Sequence, residues 1–269
     1  MKDQDWASAA DPRRRVGRAV EFHTRIGSTN DRARAALADG DGEGLAVVAD
    51  LQIAGRGRRG RTWESPAGAN LMVSVAARPR LAADAVGLLG IASALAVRDA
   101  CASLGPGLNL RVKWPNDVVA GDGRKVAGLL VETTTLGELL ADAVIGAGIN
   151  VNWAADAMPA ELRARAVSLC ELAGVELDRV ALLRTLLDRL DAELAALERG
   201  VSPLERLAAV SALDGRLVMI DTGGERVQGT AIGLSADGQL LLDTDAGRRV
   251  LAVGEVISVR DVAPAAVAS

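Results

Sequence analysis

Histidine occurs once in this sequence, cysteine twice and tyrosine not at all. Each shortage removes a class of chemistry. His23 stands alone upstream of every glycine-rich segment, which argues against a multi-histidine metal site and against a histidine-based triad. It reads as incidental. Cys101 and Cys170 are far apart and lack Cys-x-x-Cys spacing. They read as two buried or partly buried free thiols rather than zinc ligands. With four Trp and one Phe among 269 residues, aliphatic side chains and Ala must fill most of the core. The length and the 49% hydrophobic content suit one or two globular domains. No stretch approaches the roughly 20 apolar residues of a membrane span. The leading "MKDQDWASAADPRRRVGR" has no apolar run of the signal-peptide kind. A cytoplasmic location without membrane partners is the expectation.

What is abundant is positive charge in one place. "QIAGRGRRGRTW", residues 52–63, holds Arg56, Arg58, Arg59 and Arg61 among Gly55, Gly57 and Gly60, and closes on Trp63. A solvated charged loop is the plain reading. Guanidinium forks beside flexible backbone N–H groups also suit phosphate oxygens. The stretch is neither a Walker A loop nor the GxGxxG of a dinucleotide fold, and "GAGIN" at 146–150 lacks those patterns too. Arg/Gly runs do bind RNA. A nucleic-acid surface, however, needs a broad basic footprint, and this chain carries a net charge of −4. A local site for a small anion fits better than a nucleic-acid partner.

The expected fold class is α/β: a central mixed sheet flanked by helices, then a small β-barrel. Residues 1–18 read as a flexible lead-in, 19–208 as the main domain, 209–263 as the barrel and 264–269 as a tail. "GSTNDRARAALADG" (27–40) reads as a helix capped by Ser28 or Thr29, with Asp31 completing a capping box. Strands are expected at 44–50, 70–77 and 139–153, and helices at 83–104, 159–173 and 178–199. The last helix carries an apolar stripe at Val180, Leu183, Leu187, Leu190 and Leu194. Alternation puts Leu110, Val112 and Trp114 on one strand face and Asn109, Arg111 and Lys113 on the other. It also sets Asn150 and Asn152 opposite Ile149, Val151 and Trp153. From 211 on, short strands alternate with Gly/Asp turns. Four punctuated segments, 28–30, 52–63, 113–117 and 146–150, are placed at strand ends, where sites are commonly built.

Five segments together carry a resemblance: "STND" (28–31), "QIAGRGRRGRTW" (52–63), "KWPNDV" (113–118), "KVAGLLVE" (125–132) and "GAGINVN" (146–152). In order and spacing the chain resembles the bacterial biotin protein ligases (biotin–acetyl-CoA-carboxylase ligases) over roughly residues 20–262. The short lead-in resembles the form without an N-terminal DNA-binding repressor domain. The resemblance implies two half-reactions. Biotin and MgATP give biotinyl-5′-AMP, and a lysine of a biotin carboxyl carrier domain then takes the biotinyl group. ATP and Mg²⁺ are the implied cofactors, with biotin as substrate, in a monomer or weak homodimer. Ser28, Thr29, Asn30 and Gln52 are implied at the biotin ring, Arg56, Gly57 and Gly128 along biotin, and Arg58 and Lys113 at the acyl-phosphate as catalytic groups. Arg58, Arg61, Trp63, Lys113, Asn116 and Asn150 are implied at the nucleotide, with Trp63 beside adenine. Mg²⁺ is expected to arrive on ATP, with Asp117 near metal or ribose. Arg59 is expected to face solvent, and loop 55–61 to be mobile without ligand. The resemblance implies that the barrel is SH3-like, and it is expected to help hold ATP or dock the carrier. A lipoate ligase or octanoyltransferase of the same superfamily is the alternative.

Overall fold

Two face patterns and a second, separate core organise the chain in the computed structural model, which describes residues 4–105 and 107–261. The first part contains β1 (Ala19–His23), α1 (Thr29–Ala38), β2 (Leu45–Ala49), β3 (Leu71–Ala77), α2 (Val86–Ala102), β4 (Leu110–Lys113), β5 (Asp117–Ala120), β6 (Lys125–Leu136) and β7 (Leu139–Ile149). The strands form one sheet in the order β1-β2-β3-β7-β6-β5-β4. Only the β1–β2 pairing is parallel, so the sheet is mixed.

Period-2 alternation divides its faces. Leu71, Val73 and Val75 of β3, with Ile145, Ala147 and Ile149 of β7, join the main core. That core is closed by α2 and by α5 (Arg179–Glu198), which pack on each other. Ala76 and Val144 point the other way, toward Ala33 and Leu37 of α1. Asp178 caps α5 by accepting from Val180 and Ala181 N–H. The expected stripe on α5 is buried, widened by Leu182 and Leu186.

After α3 (Ala160–Arg163), α4 (Leu169–Ala173) and α6 (Leu204–Val210) come β8 (Leu217–Asp221), β9 (Arg226–Leu234), β10 (Leu240–Thr244), β11 (Gly247–Leu251) and β12 (Glu255–Arg260). They form an antiparallel sheet in the order β11-β10-β9-β8-β12. Register shifts near Leu240 and Val256 curl it. Its own core contains Leu213, Val218, Ile220 and Leu242, giving the small SH3-like barrel domain. The expected tail, 264–269, lies outside the described residues.

Several expectations need correction. Residues 1–18 are not a loose lead-in over their described part. Trp6–Ala9 form a 3₁₀ turn, and Trp6, Ala9 and Val16 are buried in the main core. The segment Ala83–Ala102 is apolar and long enough to cross a membrane by length and composition, which the sequence reading denied. Here it is the core helix under the sheet. The helix expected over 159–173 is broken. Lys125 N–H donates to Arg165 O at 2.8 Å and Val167 N–H to Lys125 O at 2.9 Å, so the middle of the segment pairs with β6. The "GAGIN" segment is not a strand-end loop, since β7 runs through it to Ile149. Trp114 leaves the face of Leu110 and Val112 and enters the barrel core, its indole N–H donating to Gly238 O at 3.1 Å.

Candidate active site

The α1-bearing face of the sheet is only partly covered, and a cleft of ≈ 1410 Å³ opens there against the barrel. A cleft this large has room for more than one small ligand. Its floor is made by missing side chains. Gly128 and Gly148 face each other across β6 and β7, with Gly146 two residues along. A Cβ on Gly146 would strike the Asn30 amide, and one on Gly148 would strike the Trp63 indole. All fourteen residues singled out above border this cleft, from Ser28 to Asn150.

At one end, the start of α1 is held by side chains. Ser28 takes the N-cap conformation, but its side chain makes no capping bond. Gln52 does that work instead: its Oε1 accepts from Thr29 N–H at 2.8 Å and from Thr29 Oγ1 at 3.0 Å. Ser74 Oγ donates to Asn30 Oδ1 at 2.5 Å, and Asn30 Nδ2 donates to Glu132 Oε2 at 2.6 Å. The Asn30 amide is therefore occupied on both sides by protein groups. Asp31 does not complete a capping box. It is gripped by both guanidinium nitrogens of Arg56, at 2.8 and 2.5 Å, and the Arg56 hydrogen bond holds it below the usual carboxylate range.

The arginine stretch is a folded hairpin. Arg56 bridges Thr62, and Gly57 N–H donates to Arg61 O at 2.7 Å. Arg59 sits at its tip with φ of 57°, a left-handed conformation that Gly60 beside it shares. The arginines fan out. Arg58 is half-buried, its Nη1 donating to Asn116 Oδ1 at 3.1 Å, and burial pulls its pKa down. Arg61 pairs with Glu255 on the barrel, which holds Glu255 below the ordinary carboxylate range. Arg59 is exposed, as expected, and also has carboxylate neighbours. It lies 3.6 Å from Glu255 and 3.8 Å from Asp221.

Lys113 ends β4 on the face opposite Leu110 and Val112, as alternation requires. Burial lowers its pKa, while Asp117 acts in the opposite sense. Among the described residues it makes no ion pair. The loop after it is fixed by Asn116: its Nδ2 donates to Leu129 O at 2.8 Å and its O accepts from Leu129 N–H at 2.9 Å. Asp117 pairs with Lys125 at 2.7 Å, and Lys125 lies 5.3 Å from the Trp63 ring centroid. Asn150 is buried, and its Nδ2 donates to Lys125 O and Val167 O at 3.3 and 3.4 Å.

Sequence reasoning missed Ser74, Glu132, Asp221 and Glu255. They are single polar residues within strands, and no local pattern marks them. The floor glycines were visible as "GAGIN" and "VAGLL", but their role depends on Trp63 and Asn30 arriving from elsewhere.

Residues 24–150 match the Biotin/lipoate A/B protein ligase family, and residues 215–258 match the Biotin protein ligase C terminal domain. The chain is 33% identical over 172 residues to the Bifunctional ligase/repressor BirA of Bacillus subtilis, covering 64% of this chain and 52% of that protein. It is 37% identical over 181 residues to the Biotin--[acetyl-CoA-carboxylase] ligase of Mycobacterium tuberculosis, covering 66% and 64%. The chain thus spans about half the length of the first curated relatives it matches. The structure of a biotin protein ligase from Aquifex aeolicus in complex with biotin and ATP superposes with a TM-score of 0.74 at 28% identity, over 90% of this chain and 99% of that one. Residues 24–150 thus belong to the biotin/lipoate A/B protein ligase family and residues 215–258 to the biotin protein ligase C-terminal domain, the domain pair of a biotin protein ligase.

Proposed function

We propose that this chain is an ATP-dependent biotin protein ligase. Biotin's carboxylate attacks the α-phosphorus of MgATP, the bond to pyrophosphate breaks, and biotinyl-5′-AMP forms. The amine of a carrier-protein lysine then attacks the anhydride carbonyl. AMP leaves, the amine loses a proton, and an amide remains. The nucleophiles come with the substrates, which suits a cleft without a catalytic His or Cys.

The observation that carries the reading is Lys113. It is a half-buried ammonium without an ion-pair partner among the described residues, on the glycine-floored face of the sheet. In step one an anion attacks a polyanion, so cations fixed in advance lower the barrier. Lys113 is assigned to the biotin carboxylate and an α-phosphate oxygen, with Arg58 beside it to contain the acyl-phosphate. Arg61 is assigned to the ATP phosphates, and Trp63, seated over Gly148, to the adenine. Mg²⁺ would be held mainly by the ATP phosphates and its own waters and would withdraw negative charge there, with Asp117 assigned as the protein carboxylate beside it. Ser28, Thr29 and Gln52 are assigned to the biotin ring. Arg56 and Gly57 are assigned along biotin beside Gly128. Asn30, with its amide already engaged, supports that end rather than contacting ligand. Asn150 likewise fixes the nucleotide end through Lys125 O. The arginine hairpin shields the anhydride from water in step two. The carrier is proposed to be a biotin carboxyl carrier domain, and the reaction, fed by ATP, to take place in the cytoplasm in a monomer or weak homodimer.

The test is ATP–pyrophosphate exchange with biotin, lipoate or octanoate, on the wild type and on Lys113→Ala. Exchange that requires biotin and collapses in the variant is expected. Exchange with lipoate instead would move the activity to the sister ligases, and none with any acid would sink the reading.

A further inference from the structure

Arg179 opens α5 and is 4% exposed. Neither helix physics nor the cleft explains it. A cation in the first turn opposes the helix dipole, and Asp178 already caps the helix. A buried ion pair is weak evidence of a stabilising role, because apolar replacements often serve as well. Arg179 Nη1 donates to Asp50 Oδ1 at 3.0 Å and to the main-chain oxygen of Asn70 at 2.9 Å. Its guanidinium carbon lies 5.1 Å from the centroid of the Trp6 ring, which is itself stacked on Phe22.

The two groups it ties lead into the cleft from different sides. Asp50 follows β2 and stands two residues before Gln52, which caps α1. Asn70 precedes β3, and its Oδ1 accepts from Val151 N–H at 3.0 Å, the residue after Asn150. We propose that Arg179, seated against Trp6, is a positioning residue for both halves of the cleft. It fixes the strand end that delivers Gln52 to the biotin side and the one that holds Asn150 on the nucleotide side. The inference rests on the ligase reading above.

The experiment is steady-state ATP–pyrophosphate exchange with thermal melting. It uses the full chain as wild type, Arg179→Lys, Arg179→Met and the double variant Arg179→Met/Asp50→Leu. Arg179→Met leaves a buried carboxylate unpaired and lowers melting; the double variant removes that charge and restores it. KM for biotin and for ATP should both rise about ten- to a hundred-fold in the double variant, the size expected when site groups shift by up to about 1 Å. Arg179→Lys should recover part of this. If the double variant melts like the wild type and keeps wild-type KM values, Arg179 is structural only and the inference falls alone. If the wild type shows no biotin-dependent exchange, the ligase reading falls and the inference with it.

Discussion

Replacing Gly148 with Ala tests the glycine floor with a single methyl group. The added Cβ would meet three atoms of the Trp63 indole, two of them at 2.7 Å, closer than real Cβ contacts allow. Something must move. β7 is laddered on both sides, by β3 and by β6, whereas Trp63 leaves a glycine-rich hairpin. The ring therefore yields before the strand, and the adenine loses its wall. Reseating the ring against the added methyl to hold ATP costs about 1–3 kcal/mol, which as a binding difference is about 5–150-fold. The KM for ATP in the exchange assay should rise by that factor, while KM for biotin changes little and melting is nearly unaffected. Gly128→Ala should be milder. The first obstacle there is the far end of the long Lys125 side chain, its amine at 2.6 Å, and the indole stands off at 3.1 Å. An unchanged KM for ATP with unchanged melting in Gly148→Ala would refute the placement of Trp63 as the nucleotide's wall. A large fall in melting temperature with unchanged KM would show that the strand, not the ring, had moved.

Three further outcomes are expected. Lys113→Met should abolish exchange yet melt higher than the wild type at pH 7. Burial depresses the folded-state pKa of Lys113, so its charged form penalises folding below that value, and stability rises as pH climbs through it toward that of an unfolded lysine, about 10.4. The variant's advantage should therefore shrink as pH approaches that value; an advantage independent of pH would contradict the assignment. Glu255→Gln should loosen the ligand-free hairpin, since Arg61 and Arg59 lose their carboxylate partner. The pair is partly exposed, so amide exchange at residues 57–61 should quicken by no more than about five-fold, a change of at most about 1 kcal/mol, and slow again when biotin and ATP are added. Cys101 is fully buried, and burial pushes its thiol up to about 12. A thiol reagent at pH 8 should therefore label Cys170 alone in the native protein and both cysteines in denaturant, as mass spectrometry of the peptides would report.

Much of the candidate site could be read from the sequence because the residues proposed for it cluster in short segments. Period-2 alternation set Arg111 and Lys113 against Leu110 and Val112, and the stripe on α5 followed from helical spacing. What escaped depends on partners far away in the chain. Trp6 lies in a polar stretch, and its burial requires Phe22 and Arg179. The break at 164–168 comes from Lys125, which competes for the backbone of a segment with fair helix propensity. Gln52 replaced Ser28 as the helix cap because a strand end brings its amide to the site of the Thr29 N–H. The acidic partners of the arginines were invisible for the same reason, since a lone Glu255 in a strand carries no local signature.

Trp114 blurs the idea of separable modules. By sequence it belongs to the sheet domain, directly after the principal cation of the cleft; by packing it fills the barrel's interior. The barrel cannot be excised without leaving a large aromatic ring in water at the very next residue, nor exchanged for another unless the incoming one accepts that ring. Heat should therefore melt both parts together in one transition.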